Sequence, residues 1–190
     1  MISTSTKMSM PTLIPPIEKE LIRAELTPDK LLRKTNKGGN EIYVFHASTA
    51  PETMREIGRL REEAFRFYGG GTGKVCDVDE FDLAEDGYRQ LIVWDPVEGA
   101  ILGGYRFIFG DEVQIDEATG KPHLATAEMF DFSPTFLRDY LPSTMELGRS
   151  FVSLPYQSTR MGAKSLFALD NLWDGLGALT VIYPKMKYFY

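Results

Sequence analysis

One cysteine, two histidines and no apolar run of membrane-spanning length leave this 190-residue chain with few residues that announce a site by themselves. Cys76 has no partner for an internal disulfide, so nothing points to an oxidising compartment, and neither His46 nor His123 stands where it would activate a thiol. With histidine this sparse and no Cys/His ligand spacing, no metal site is expected. No stretch approaches the roughly 18 apolar residues of a transmembrane helix, and residues 1–12 lack the apolar core of a signal peptide, which points to the cytoplasm. Positive charge is also in deficit. Against 27 acidic residues stand 21 Lys and Arg, for a net charge of -6, and an acidic chain is a poor match for nucleic acid.

What the chain does hold is the balance of one soluble domain, 43% hydrophobic and 25% charged. Residues 1–40 read as an N-terminal arm with two short helices, over 17–26 and over 27–34, the second opened by Thr27-Pro28 and ended by Arg33 and Lys34. Residues 41–190 read as the main domain. Its first strand is expected over 41–47, a helix from Pro51, a hairpin from 91–95 and 101–110, a polar loop over 111–123 and a further strand over 144–154. A helix over 163–176 follows, with the stripe Leu166, Leu169, Leu172, Trp173 and Leu176, and 186–190 looks like a strand just begun. This order suits an α/β (α+β) domain, a mixed sheet with helices packed on it. The run Gly69-Gly70-Gly71-Thr72-Gly73-Lys74 is not a phosphate loop: it follows a helix, and Tyr68 and Val75 stand where glycine and Ser/Thr would be needed. It is expected to be a flexible linker.

The informative residues are charged. Met54, Ile57, Leu60, Ala64, Phe65 and Tyr68 fall within an arc of about 140° on a helix, and Arg61 lies inside that arc. A guanidinium facing a core must find an anion. Asp77, Asp79, Glu80 and Asp82, around Phe81, are the candidates. Arg106 then lies in the strand-like Gly104-Tyr105-Arg106-Phe107-Ile108-Phe109, and Glu146-Leu147-Gly148-Arg149 lies in another strand. Glu146 and Arg149 would face opposite sides of a regular strand, but a bulge at Gly148 would bring them together.

In this order Arg61-x-x-x-Phe65, Asp77-x-Asp79-Glu80-Phe81-Asp82, Gly104-Tyr105-Arg106 and Glu146-Leu147-Gly148-Arg149 resemble the acyltransferases related to acyl-homoserine-lactone synthases. Among these the chain is most similar to the hemolysin-like branch that makes ornithine and glycine lipids. The likeness runs from about Glu41 to the end of the chain, with Gln90 where members of the branch often carry His. It implies a GNAT-like fold with a mixed, mostly antiparallel sheet and helices on both faces. Because GNAT domains continue past the last strand seen here, it also implies that the chain is a fragment.

By the same resemblance the expected activity is transfer of a fatty acyl group from acyl carrier protein to an amino-acid amine. An acyl-homoserine-lactone synthase and a non-catalytic acyl-binding or membrane-active protein are the alternatives. No cofactor would be resident. The donor would be an acyl-phosphopantetheine, on acyl carrier protein or on coenzyme A, and its lipid product would bring the protein to the membrane periphery. Glu146 is the expected base with Asp82 or Glu80 as substitutes, Arg149 its partner, and Arg61, Phe65, Asp77, Asp79 and Arg106 would organise the site. The donor phosphate is expected where Arg160, Gly162, Ala163 and Lys164 open the late helix. Acyl carrier protein is itself acidic, so a basic patch drawn from Lys30, Arg33, Lys34, Arg149, Arg160 and Lys164 is required.

Overall fold

The computed structural model describes residues 10–157 and 162–190, with the backbone alone at 163–166. Its centre is one six-stranded sheet in sequential order: β1 (Leu31–Lys34), β2 (Glu41–His46), β3 (Arg89–Asp95), β4 (Ala100–Phe109), β5 (Thr144–Val152) and β6 (Tyr188–Phe189). Neighbours from β1 to β5 are antiparallel, whereas β6 runs parallel to β5. That parallel step needs a crossover, and α4 (Ala163–Ile182) supplies it. The other helices are α1 (Lys19–Glu25), α2 (Pro51–Phe67) and the single turn α3 (Glu80–Leu83). Among the described residues no helix is long and apolar enough to cross a membrane.

Successive strand residues point to opposite faces, and each face buries one long helix. Tyr43, Phe45, Ile92, Trp94, Ile101 and Phe151 form a core with Met54, Ile57, Leu60 and Ala64 of α2. On the other face Ile42, Leu91, Val93, Leu102 and Phe107 meet Ala168, Leu172, Leu176 and Leu179 of α4. The α2 N-terminus has Pro51 in its first turn and is satisfied from a distance: the Glu25 carboxylate accepts from the Glu52 and Thr53 N–H groups at 3.0 and 2.7 Å.

Several expectations change here. Residues 27–34 are not a helix: after a tight turn at Pro28–Lys30 the chain becomes β1, with Leu31 opposite Tyr43 and Lys34 opposite Glu41. Two adjacent leucines suit a strand laid along a sheet edge better than a one-sided helix. The strand at 41–46 is therefore the second. Helix α4 runs to Ile182, and its buried stripe excludes Leu169 and Trp173, which are 56% and 69% exposed. The glycine run is no free linker. The buried Glu62 carboxylate accepts from Thr72 N–H, Thr72 Oγ1 and Gly73 N–H at 2.6–2.9 Å, fastening the loop to α2. Burial raises the Glu62 pKa, but these bonds and the Arg66 guanidinium outweigh it and leave it below the usual range. Of the arm, residues 1–9 lie outside the described residues, while Ile14 N–H donates to the Val75 carbonyl and Ile17 N–H to Glu56.

Candidate active site

Arg61 is wholly buried, and its Nη1 donates to both Asp82 carboxylate oxygens at 3.1 and 3.2 Å. Its Nη2 donates to Gln90 Oε1 at 2.5 Å, and Gln90 Nε2 returns to Asp82 at 2.9 Å. Gln90 thus closes a triangle between arginine and carboxylate. Asp82 also caps its own turn, in a reciprocal pair with the Asp79 N-terminal residue of α3. Arg106 joins through Nη1, at 2.7 Å from Asp79 and 3.3 Å from Asp82. Arg149 reaches Asp77 at 3.1 Å and Asp79 at 3.5 Å. Three arginines from α2, β4 and β5 therefore interlock with three aspartates of the 77–82 segment.

That segment is held against α2 by Gly58, whose carbonyl accepts the Asp77 N–H at 3.0 Å. A Cβ at residue 58 would lie 2.5 Å from Cys76 Sγ, so only glycine permits this approach. Burial pushes the Asp77 carboxyl up, and it likewise lowers the Arg61 value against the pull of Asp82. For Asp79 burial is outweighed by Arg106, and its pKa falls below the usual carboxylate value. Cys76 is a partly buried thiol pushed up by burial, with no base beside it. Glu80 points away: it is exposed on α3, outside the network.

The expected bulge is present but shifted by one residue. Gly104 pairs with Phe151 and Arg106 with Gly148, so β5 carries one extra residue at Arg149–Ser150 opposite Tyr105. Arg149 takes a left-handed backbone, φ 52, which is strained for a residue with a Cβ. The strained backbone brings Arg149 to the side of the sheet that carries Glu146.

Glu146 is buried and held by hydroxyls. Tyr88 donates to Oε1 at 2.7 Å, while Thr126 and Tyr190 donate to Oε2 at 2.9 and 3.0 Å. One acceptor position remains, on Oε1. Burial and the neighbouring Glu146 charge push the Tyr88 hydroxyl up, and Tyr190 is raised by burial too, so both stay protonated donors. Glu146 opens on a cavity of about 390 Å³ with Asp79, Arg106, Thr126, Gly148 and Arg149 in its walls. None of the three hydroxyl donors was legible from spacing, because they come from three distant parts of the chain.

A second, larger cleft of about 690 Å³ lies at the far end of β5, lined by Ala64, Phe65, Tyr68, Phe151, Val152, Tyr156 and Gly162. Tyr68 donates across its rim to Gln157 at 2.7 Å. Phe65 is thus a cleft wall at the end of α2, distant from the acidic cluster in role. Between cleft and cavity runs a narrow apolar groove that shares Ser150 and Leu169 with the cleft and Leu147 with the cavity. β6 pairs with the first residues of β5, at Thr144 and Met145, and the Tyr190 carbonyl extends the contact by accepting the Leu147 N–H at 2.7 Å. Gly162 precedes α4 with φ 58. Arg160 and the side chains of Ala163 and Lys164 lie outside the described residues. Of the other expected basic residues, Arg33 is paired with Asp174 of α4 at 3.1 Å. Among the described residues no cluster of His, Cys, Asp or Glu could hold a metal ion.

A family model described as an acetyltransferase (GNAT) domain matches residues 60–166, from the start of the arginine network to the opening of α4. A glycine N(alpha)-acyltransferase of Phocaeicola vulgatus is 64% identical over 181 residues, which are 95% of this chain and 55% of that protein. One of Bacteroides thetaiotaomicron is 61% identical, again over 95% of this chain and 53% of that protein. The chain spans about half the length of the curated relatives it matches. No solved structure matches it at a significant level.

Proposed function

The chain belongs to the acetyltransferase (GNAT) family, and from that premise we propose that it is an N-acyltransferase that moves a fatty acyl group from acyl carrier protein to the amine of glycine, in the aminolipid-forming branch. The observation that carries the reading is the continuity along β5. An apolar cleft, an apolar groove and a charged cavity follow one another on a single strand and share lining residues. An acyl-phosphopantetheine is long and is apolar along its acyl chain, and its thioester would arrive beside Glu146. Glycine rather than ornithine or homoserine lactone is favoured by the relatives named glycine N(alpha)-acyltransferase.

In this mechanism Glu146 takes the proton of the glycine ammonium at its remaining Oε1 position, and the freed amine attacks the thioester carbon. The carbonyl oxygen becomes an oxyanion as the C–N bond forms. The bulge at Arg149–Ser150 interrupts the ladder with β4, and a backbone N–H released there would receive that charge. Collapse breaks the C–S bond, and the departing thiolate takes up the proton that the attacking nitrogen sheds as it becomes an amide. The three hydroxyls hold the carboxylate in place during these steps.

The test is mass spectrometry of lipids from a host expressing the chain, followed by kinetics with acyl carrier protein and acyl-coenzyme A as competing donors. N-acylglycines that depend on Glu146 support the reading. Equal use of both donors would overturn its carrier-protein part. An unchanged lipid profile together with no activity in vitro would overturn the whole.

A further inference from the structure

Arg106 is only 3% exposed, and its Nη1 is engaged by Asp79 and Asp82, yet its Nε–H has no acceptor. The guanidinium is fixed in place, its carbon 4.8 Å from the Tyr88 ring centre and 5.8 Å from that of Phe81. The same residue lines the Glu146 cavity together with Gly148. A Cβ built on Gly148 would stand 3.4 Å from that Nε and 3.6 Å from Cγ. The missing side chain of residue 148 therefore marks the approach to an unpartnered, positively charged donor.

We propose that Arg106 is the receptor for the carboxylate of the amine substrate, reached over Gly148, and that this contact selects an amino acid over a simple amine. The inference rests on the reading that the acceptor is an amino acid. Register supports the span. Arg106 faces Gly148 across the ladder and Glu146 faces Ile108, so Arg106 and Glu146 are diagonal neighbours. Such neighbours stand about 7–8 Å apart at their backbones, a distance that a zwitterion of glycine size and its two hydrogen bonds can bridge. The charge balance agrees: the three arginines are matched by Asp77, Asp79 and Asp82, and Glu146 takes only neutral hydroxyls. A glycine bound with its ammonium on Glu146 and its carboxylate on Arg106 adds one charge of each sign and fills both open hydrogen-bond positions. Glu128 also lines the cavity and would disfavour a carboxylate placed at the opposite end.

The experiment uses Gly148→Ala, since residue 148 does not have a left-handed backbone and a Cβ there meets only side-chain atoms of Arg106. Loss of a hydrogen bond to a charged group should raise the glycine KM by about tenfold to a hundredfold. The acyl-donor KM should stay within about twofold, and the preference for glycine over glycinamide should disappear. Arg106→Lys, which keeps a cation for Asp79 but has no Nε–H, should show the same split and serves if the alanine variant does not fold. Calorimetric titration of glycine into the donor-free protein separates this inference from the proposed reaction. Binding to the unsubstituted chain that Gly148→Ala abolishes supports the inference even if no acyl transfer is seen. N-acylglycine formed by both proteins with equal glycine KM, or no preference for glycine over glycinamide in the unsubstituted chain, overturns it.

Discussion

The two ends of β5 present two kinds of cavity within one strand. Around Glu146, Gly148 and Arg149 the walls carry charges and hydroxyls, with Glu146 held by Tyr88 and Arg149 by Asp77. Around Phe151 and Val152 they are apolar, with Tyr68 and Gln157 as a polar rim. The polar end is pre-organised by pairs that cannot move singly without stranding a charge. The apolar end is shaped by packing and can adapt to a chain. The account therefore assigns amine chemistry to the first and donor binding to the second, and substitutions should separate them.

The largest effect should fall on the ionic network behind the polar end. Arg61→Ala leaves Asp82 buried without its arginine and should cost about 3 kcal/mol or more in chemical denaturation. A loss below about 1 kcal/mol would mean that Arg106 and Gln90 alone satisfy Asp82. Next comes Glu146→Gln, which should keep the fold and lower kcat about a hundredfold, with rates recovering as pH rises and the amine deprotonates unaided. A rate unchanged at every pH would remove Glu146 from the chemistry.

The comparison sharpens at the other end with Tyr68→Ala. The residue is 71% exposed, so stability should change by no more than about 0.5 kcal/mol. The donor KM should rise several-fold with the glycine KM unmoved, and parallel movement of the two constants would erase the division of labour. A last effect, on stability alone, concerns Glu62, the neighbour of Arg61 that clamps the glycine loop. Its folded-state pKa lies below the ordinary 4.5. Its contribution to stability is therefore complete above that pH and is lost as pH falls through the depressed folded value. Glu62→Gln should cost about 1–3 kcal/mol at neutral pH and flatten the acid limb of the stability curve. An acid limb identical to that of the unsubstituted chain would show that the clamp is not ionic.

How much of this was legible beforehand differs between the same two ends. Arg61 was placed inward by the helical period alone, and its aspartate partner followed because a buried guanidinium has few alternatives nearby in sequence. Glu146 and Arg149 stood out as a motif, but the bulge was assigned to Gly148, since glycine is the cheaper bearer of strain; the strand instead places it on Arg149. The hydroxyl shell of Glu146 was invisible because Tyr88, Thr126 and Tyr190 meet only through the sheet. The apolar cleft was equally hidden: its walls are ordinary aromatic and aliphatic residues that read as core. The strand at Leu31–Lys34 was misread because four residues on a sheet edge carry too little periodicity to distinguish strand from helix.

The central claim is tested most directly by a single-turnover reaction of the purified chain with acylated carrier protein and isotopically labelled glycine, read by mass spectrometry alongside Glu146→Gln. The account predicts labelled N-acylglycine from the unsubstituted chain, formed about a hundredfold more slowly by the variant at neutral pH. Equal rates from the two proteins, or label that never enters an acylated product, would contradict it.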